Sequence, residues 1–331
     1  MKKIRVVSVG LGPIGASAAR LALSKHSIDV VGAVDPHPDK AGKDLGFVLG
    51  LPESGVVISE QAEETYRRCR PDAIIHCTSS FIPKVVEQLE AAAKFGVNVV
   101  SSSEELLVPD YRHPQLAERL HQAAVEGGAT ILGTGVNPGF AMDFLAVTAS
   151  AICFSVGSVN CTRVVDAGTR RLPLQQKVGA GLTLEQFKAR EEAGGFGHIG
   201  MEESVVLVGR ALGFELDRVE QSLRAVVAEE QFTTPFLTVK PGCVAGIHNI
   251  GKGWKNGRCL VNLDLTMAVG ADQPRDEIVL EGEPPVNLVF KGGIPGDQAT
   301  AAILVNSLHQ TVRAEAGLKT VLELPPPRLA L

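Results

Sequence analysis

The first 135 residues alternate short, almost wholly apolar segments with longer segments of helical periodicity. The apolar segments read IRVVSVG, DVVGAVD, GVVIS, DAIIHCT, NVVSSS and ATILGTG. Continuous apolar runs of this length are typical of parallel strands covered by helices on both faces. Between them, segments such as IGASAARLALSK and IPKVVEQLEAAAKFG have apolar residues at helical spacing. The alternation predicts an α/β fold with a doubly wound parallel sheet.

The pattern changes after about residue 136. Strand-like segments with partial alternation follow at residues 156–170, 226–240, 258–269 and 277–291. Helical patterns intervene at about 183–193 and 200–213, which predicts an α+β domain built on an open mixed sheet. We therefore expect a first domain at 1–136 and a second at 137–296. The amphipathic helix and tail at about 297–331 are expected to pack back on the first domain.

Composition and charge narrow the function classes. A chain of 331 residues with 45% hydrophobic residues can form two domain cores. The formal net charge is −5 and the charges are mixed in sign, which disfavours a nucleic-acid partner. The basic start continues into a run broken by Gly10 and Gly12, so it indicates a strand rather than a signal peptide. No apolar stretch is long enough for a membrane span, and we expect a soluble cytoplasmic protein.

The six cysteines are scattered along the chain, without a CxxC pair or a Cys/His cluster at ligand spacing. This spacing argues against a disulfide framework and against a zinc site. We predict buried, reduced thiols and no metal site.

A glycine-rich turn follows the first predicted strand and opens the first helix. It reads Gly10-Leu11-Gly12-Pro13-Ile14-Gly15. Gly10 would allow the tight turn, Gly12 would let the backbone approach a pyrophosphate, and Gly15 would allow close packing of helix on strand. An ordinary glycine turn is the alternative, but the strand before it and the helix after it favour a Rossmann dinucleotide site.

Asp35 ends the second strand and is the acid that such a site uses to bind the adenosine ribose. A carboxylate there repels a 2′-phosphate and favours NAD. His37 and Lys40 lie nearby and could tolerate the phosphate of NADP. We predict NAD or NADP as cofactor, with NAD preferred and dual use allowed.

Short polar residues at strand ends complete the cofactor candidates. Thr78 and Ser79 follow the fourth strand, where ligands of open parallel sheets bind, and we expect them near the nicotinamide. Capping of the following helix is an equally good role for Ser79. Asn137 belongs to the turn Asn-Pro-Gly-Phe that leads into the second domain, and turn chemistry alone would also explain it.

Several further segments, read together, resemble one family. They are NVVSSSEELLVP, GTGVNPGFAMDFL, VVDAGTRRLPLQQKVGAGLT, GGFGHIGMEES and GDQATAAILVNSL. Together they resemble the 2,4-diaminopentanoate dehydrogenases and the native NAD(P)-dependent amine dehydrogenases, over essentially the whole chain. The resemblance implies reversible oxidative deamination of an amine, or reductive amination of a ketone with ammonia. It also implies a homodimer paired through the sheet of the second domain.

In the resembling families a glutamate of the EEL segment is the catalytic carboxylate, which points to Glu104 or Glu105. A carboxylate at this strand end could stabilise the charge on the reacting nitrogen and move the protons of the carbinolamine step. Adjacent residues point in different directions, and we favour Glu104 narrowly. Both could instead charge the N-terminus of the next helix.

The remaining candidates concern the substrate. By the resemblance, Phe140 and Met142 would form an apolar wall, although core packing competes with this role. Arg163 and the nearby Thr169 belong to an ionic segment that could bind a substrate carboxylate, although salt bridging is the usual fate of such arginines. His198 lies between small residues, and the sequence favours a substrate-pocket role and a structural role for it equally.

Three alternative functions remain open. Alcohol and sugar dehydrogenases of the inositol-dehydrogenase type usually have Glu-Lys-Pro after the fifth strand, where this chain has Glu104-Glu105-Leu106. Dihydrodipicolinate reductases carry paired histidines in the substrate loop, which this chain lacks. A nucleotide-sensing protein without catalysis is disfavoured by the carboxylate pair and the extensive second domain.

Overall fold

The computed structural model describes residues 2–194 and 196–331, which form fifteen strands and eleven α-helices. The strands are β1 (Ile4–Val9), β2 (Ile28–Val34), β3 (Ile58–Ser59), β4 (Ala73–His76), β5 (Asn98–Ser101), β6 (Thr130–Gly133), β7 (Ser155–Asp166), β8 (Arg218–Val227), β9 (Phe232–Thr233), β10 (Thr238–Val239), β11 (Val244–Lys255), β12 (Arg258–Ala268), β13 (Arg275–Glu283), β14 (Val286–Lys291) and β15 (Gly317–Lys319). The helices are α1 (Pro13–Leu23), α2 (Leu45–Val48), α3 (Ala62–Cys69), α4 (Ile82–Lys94), α5 (Pro109–Arg112), α6 (Pro114–Gly127), α7 (Phe144–Ala149), α8 (Leu172–Lys177), α9 (Leu184–Glu192), α10 (Met201–Ala211) and α11 (Gly296–Thr311).

The chain divides into two compact units. One contains Met1–Phe140 and Pro295–Leu331, and the other contains Ala141–Ile294. The first unit is built on a parallel sheet with strand order β15-β6-β5-β4-β1-β2-β3. This is the doubly wound arrangement that the sequence predicts, extended by the short strand β15 that the sequence analysis did not foresee.

Helices cover both faces of the parallel sheet. On one face, α1 and α11 pack through small and branched residues such as Ala18, Ala22, Ala301 and Leu304. On the other face, α3, α4 and α6 bury a second apolar layer. Beyond α11, the tail also returns to this unit, where the backbone N–H of Ala330 donates to Asn306 Oδ1 at 2.9 Å.

The second unit is built on a mixed sheet with strand order β14-β13-β7-β12-β11-β8. β7 and β12 are parallel, whereas the other neighbouring strands are antiparallel. α10 packs on one face, where Val205 and Val208 join Leu263 and Leu265 in a common core. The predicted α/β fold with a second α+β domain is therefore confirmed.

Two details of the second unit differ from the sequence expectation. The predicted strand at 226–240 is wrong, because β8 ends at Val227 and the short β9–β10 pair follows. The segment at 277–291 forms the hairpin β13–β14 rather than one strand. β11, which the sequence analysis did not foresee, contains glycines because helix α10 approaches closely. A Cβ atom at Gly251 would lie 2.7 Å from Met201 Cγ.

All six cysteines are free thiols. Within the described residues, no group of three or more His, Cys, Asp or Glu side chains is placed to hold a metal ion. None of the described helices is both long enough and apolar enough to cross a membrane.

Candidate functional site

The glycine turn between β1 and α1 has the geometry of a phosphate-binding loop. Gly10 has a φ of +81°, and a Cβ there would lie 2.5 Å from the carbonyl oxygen of Cys77. A Cβ at Gly15 would lie 1.9 Å from the carbonyl oxygen of Gly10. At Gly12 a Cβ would meet no protein atom within 4 Å. Gly10 and Gly15 are thus required by the turn itself, whereas Gly12 faces open space at the N-terminus of α1, where anions bind.

Asp35 follows β2 and faces this turn. Its Oδ2 accepts the backbone N–H of Leu11 at 2.8 Å, and its Oδ1 accepts the backbone N–H of His37 at 2.9 Å. Lys40 Nζ lies 2.8 Å from Oδ2 and also donates to the carbonyl oxygen of Leu11 at 3.0 Å. Burial raises the pKa of Asp35, but Lys40 and the two backbone N–H groups outweigh burial and leave the pKa below its ordinary value.

Lys40 is therefore part of the cluster that Asp35 forms with the glycine turn. Its ammonium group offsets the negative charge of the Asp35 carboxylate. The imidazole of His37 is exposed and lies beside Asp39 instead of Asp35. Lys40 thus contacts Asp35 through its side chain, whereas His37 contacts it only through its backbone N–H.

The carboxyl end of β4 carries Cys77, Thr78 and Ser79. Thr78 is exposed, and its hydroxyl lies 2.9 Å from Nε2 of the buried His76. The Oγ of Ser79 accepts a long hydrogen bond of 3.4 Å from the backbone N–H of Phe81, the N-cap residue of α4. Because Cys77 also meets the Gly10 turn, these residues and the glycine loop share one edge of the parallel sheet.

The two adjacent glutamates have different surroundings. They open a 3₁₀ turn, Glu104–Leu107, that follows β5. Glu105 is buried, and its Oε2 accepts the backbone N–H of Ile82 at 2.8 Å and lies 3.2 Å from His113 Nε2. The carboxylate of Glu105 therefore satisfies the N-terminus of α4, the helix before it in the chain, and not that of the following helix, which was the expected alternative.

Glu104 is partly exposed at the same edge of the sheet. Burial raises the pKa of the Cys77 thiol to about 11, a hydrogen bond to Ser102 opposes this, and the negative charge of Glu104 adds to it. Glu104 begins the turn after β5, at the carboxyl edge of the parallel sheet where Cys77 meets the glycine turn. Of the doublet, Glu104 is the member whose negative charge acts on Cys77.

The remaining candidates from residue 137 onward divide into interior and surface residues. Met142 is 1% exposed and packs in the core with Ala146 and Val159, so the structure gives it a packing role in place of the expected substrate wall. Phe140 and Asn137 are partly buried in the segment that leads out of the first unit. Thr169 is exposed and donates to the carbonyl oxygen of Asp166 at 3.0 Å.

The side chain of Arg163 is held by contacts inside the second unit. It is 4% exposed, and its guanidinium forms a buried ion pair with Asp276. The same guanidinium donates to the carbonyl oxygen of Ile294 at 2.8 Å, and Asp276 Oδ2 accepts the backbone N–H of Ile294 at 2.6 Å. The ion pair thus binds both the backbone N–H and the carbonyl oxygen of Ile294, the last residue of the second unit. This leaves the guanidinium of Arg163 little capacity for binding a substrate carboxylate.

His198 lies within the electrostatic influence of two cations. Desolvation lowers the pKa of its imidazole to about 3, and the positive charges of Lys177 and Arg163 act in the same direction. The ring is therefore neutral at ordinary pH, and it could donate or accept a hydrogen bond without carrying charge.

Several residues that shape these segments were not predicted from the sequence. The buried side chain of Gln175 donates to the carbonyl oxygen of Arg170 at 2.8 Å and accepts from Thr234 Oγ1 at 3.0 Å, which orders the loop that carries Thr169. His76 and Ser101 are buried at the carboxyl ends of β4 and β5, and His76 Nδ1 lies 3.0 Å from Ser101 Oγ. A polar residue ending an otherwise apolar strand was the available signal for both.

Comparison with known proteins gives concordant relatives. The model of the 2,4-diaminopentanoate dehydrogenase C-terminal domain matches residues 140–331. A 2,4-diaminopentanoate dehydrogenase of Acetoanaerobium sticklandii is 31% identical over 340 residues, covering 99% of this chain and 95% of that protein. An amine dehydrogenase of Streptomyces virginiae is 22% identical, covering 97% of this chain and 96% of that protein.

A solved structure agrees with these sequence relatives. The amine dehydrogenase from Mycobacterium smegmatis superposes with a TM-score of 0.86 at 26% identity, covering 98% of this chain and 97% of that one. A dihydrodipicolinate reductase superposes with a TM-score of 0.53 at 14% identity and shares the fold alone. With a family match over more than half of its length and a full-length relative above 30% identity, the chain belongs to the 2,4-diaminopentanoate dehydrogenase family.

Proposed function

We propose that this protein is an NAD(P)-dependent amine dehydrogenase that interconverts an amine, or a diamino acid, with the corresponding ketone and ammonia. The observation that carries the proposal is the division of roles between the two glutamates. Glu105 is bound at the N-terminus of α4, whereas Glu104 begins the turn after β5, at the same carboxyl edge of the sheet as Cys77 and the glycine turn. The two sequence relatives, a 2,4-diaminopentanoate dehydrogenase and an amine dehydrogenase, act on amines, which agrees with this chemistry.

The residues of the first unit fit a dinucleotide. The glycine turn and the N-terminus of α1 would hold the pyrophosphate, and Asp35 with Lys40 would hold the adenosine ribose. Thr78 and Ser79 would flank the nicotinamide side. Bound nicotinamide supplies hydride transfer at the carbon that carries nitrogen.

Glu104 would act on the nitrogen and its protons. In the oxidative direction, its negative charge would stabilise the iminium cation that forms when the amine carbon loses hydride. Water then adds to that carbon, and the carboxylate would take the proton from the added water and return it to the departing ammonia. In the reductive direction the same group would serve the reverse proton transfers.

We further propose NAD as the preferred nucleotide with NADP also accepted. Asp35 favours the free ribose hydroxyls of NAD. Lys40, at 2.8 Å from the same carboxylate, offers a cation to the 2′-phosphate of NADP. The six free thiols agree with the reducing cytoplasm, which we keep as the expected compartment.

A homodimer is the assembly that we propose. The face of the second-unit sheet opposite Leu263 carries polar, partly exposed side chains such as Asn262 and Asp264, with His248 Nε2 2.9 Å from Asp264 Oδ1. This face is open to solvent and so is available to a second copy, and the pairing itself is what the family resemblance implies. Sedimentation equilibrium is the direct test, and a monomer at all concentrations would contradict the proposal.

The catalytic proposal is tested with Glu104→Gln and its neighbour Glu105→Gln as a matched control. Each variant is assayed on a panel of amines with NAD and NADP, and on alcohols to test the alternative chemistry. For Glu104→Gln we expect amine oxidation to fall by at least about 100-fold while NADH binding is unchanged. Full amine oxidation by Glu104→Gln, or activity confined to alcohols, would refute the proposal.

A further inference from the structure

A hydrogen-bonded network of buried side chains lies beneath the carboxyl ends of β4 and β5, and its buried members His76, Ser101 and Ser103 have no part in the chemistry above. It begins at His76, the last residue of β4, which is 0% exposed. His76 Nδ1 lies 3.0 Å from Ser101 Oγ, and His76 Nε2 lies 3.0 Å from Gln88 Oε1 and 2.9 Å from Thr78 Oγ1. One imidazole therefore connects α4, the loop after β4 and the end of β5.

The hydrogen-bonded network continues from the Ser101 side chain to the loop that carries the two glutamates. Ser101 Oγ lies 3.1 Å from Ser103 Oγ and accepts the backbone N–H of Ser103 at 3.2 Å. Ser103 Oγ in turn donates to the carbonyl oxygen of Ser79 at 2.6 Å. The loops after β4 and β5 are thus joined to each other through side chains that have His76 at their base.

Glu104 lies between two anchored neighbours. Ser103, directly before it, is held by Ser101 and by the carbonyl oxygen of Ser79. Glu105, directly after it, donates its backbone N–H to the carbonyl oxygen of Ser80 at 3.2 Å and holds Ile82 through its carboxylate. With both neighbours fixed, the backbone of Glu104 has little freedom of its own.

The hydrogen-bonded chain is suited to positioning rather than to proton transfer. It ends at the carbonyl oxygen of Ser79, which accepts a hydrogen bond but cannot carry a proton onward. Burial also keeps the imidazole of His76 neutral, because desolvation lowers its pKa to about 4 while the hydrogen bond to Gln88 opposes this only in part. A neutral ring has one donor and one acceptor nitrogen, which allows a bridge from Ser101 at Nδ1 to the Gln88 and Thr78 side at Nε2.

We propose that His76 is a positioning residue that holds the loop of Glu104 in register with the Thr78–Ser79 loop, so that the carboxylate and the nicotinamide side meet at a fixed geometry. This inference rests on the proposed function for its catalytic consequence. Its structural content, the ordering of residues 102–106 by His76, stands independently.

The test uses His76→Phe, which keeps a planar ring and removes both nitrogens, and Ser101→Ala, a smaller change in the same chain. Ser8→Ala is the matched control, since Ser8 is a buried serine of neighbouring β1 whose Oγ has no hydrogen-bond partner among the described residues. Hydrogen exchange of amides 102–106 should be at least about tenfold faster in His76→Phe and Ser101→Ala than in the wild type. In Ser8→Ala it should be unchanged.

Steady-state kinetics supply the second readout. We expect kcat for amine oxidation to fall by about 10- to 100-fold in His76→Phe, with NADH binding little changed, because misplacement of a catalytic group lowers turnover more than binding. The kinetic isotope effect with amine deuterated at the reacting carbon should increase, since hydride transfer becomes slower. His76→Gln, which can keep one hydrogen bond to Ser101, should recover part of kcat.

Two results would overturn the inference. One is unchanged exchange of residues 102–106 in both network variants. The other is a kcat that falls only with the fraction of folded protein and leaves the isotope effect unchanged. A wild-type enzyme that oxidises no amine would refute the proposed function instead, and the exchange experiment would still decide the role of His76.

Discussion

The carboxylate of Glu105 accepts a hydrogen bond of 2.8 Å from the backbone N–H of Ile82, the first residue of α4. Removing that acceptor leaves a buried N–H unsatisfied, so Glu105→Ala should lower the free energy of unfolding by about 1–3 kcal/mol. Urea denaturation measures the change. Glu105→Gln retains an acceptor oxygen and should cost less, and equal stability of Glu105→Ala and the wild type would contradict this account of the residue.

Lys40 should control the choice between the two nucleotides. Lys40→Met removes the cation from Asp35 Oδ2, so the carboxylate would repel a 2′-phosphate without compensation. We expect kcat/KM with NADP to fall by about tenfold or more, a loss of at least about 1.4 kcal/mol, while the value with NAD changes less. His37→Ala is the control, since that imidazole is exposed and lies beside Asp39. A parallel loss with both nucleotides would count against this role for Lys40.

The first unit could be predicted from the sequence almost element by element. Its strands are short, apolar and separated by helices with Gly or Pro at their ends, and these are local signals. β11 could not be predicted in the same way, because Gly251 and Gly253 weaken its strand pattern. Those glycines make room for Met201, Val205 and Leu216, and that contact is formed between distant parts of the chain.

The sequence could predict which types of residue form the candidate site, but not the role of each residue. The sequence shows that Glu104 and Glu105 must point differently. Which one is taken up by α4 depends on Ile82, which the fold brings from 23 residues away. Arg163 illustrates the same limit, since its partner Asp276 lies 113 residues along the chain. Local charge patterns identify ionisable groups, and tertiary structure assigns their partners.

Breaking the Arg163–Asp276 pair should destabilise the second unit strongly. Asp276→Asn leaves the guanidinium buried without its counter-ion, and removing one partner of such a pair typically costs about 3–5 kcal/mol. Thermal unfolding followed by circular dichroism would report the loss. Arg163→Lys, which keeps the charge, should leave the relative rates for ketones with and without a carboxylate unchanged. A selective loss of the carboxylate-bearing ketones would restore Arg163 as a substrate ligand.

A substitution at Ser8 should stabilise the protein, in contrast to the substitutions at Glu105 and Asp276. Its Oγ is fully buried in β1 and has no hydrogen-bond partner among the residues the structure describes. Ser8→Ala removes this unsatisfied group, and we expect the free energy of unfolding to rise by up to about 1 kcal/mol. Ser101→Ala, on the same sheet, removes a bonded hydroxyl and should lower it. Destabilisation by both substitutions to the same extent would show that Ser8 Oγ is satisfied in solution.

His76 should make the stability of the fold depend on pH in a defined window. The pKa of the imidazole is lowered by burial to about 4, below the ordinary value of 6.5. Between these values the unfolded chain binds a proton that the folded chain does not, so the free energy of unfolding falls as pH decreases from 6.5 to about 4. The total loss from this group is roughly 3 kcal/mol. Above the window its contribution is fully present.

Urea denaturation between pH 4 and 8 would measure this effect, with His76→Phe as the comparison. His198 and His309 contribute in the same direction, because burial lowers their pKa values too, so His76→Phe should still respond to pH through these two rings. The variant should lose the share of His76, a decrease in slope of about 1.4 kcal/mol per pH unit within the window. Parallel curves for the two proteins would mean that His76 already accepts a proton in the folded state, and the buried hydrogen-bonded chain would then need a different arrangement of its donors.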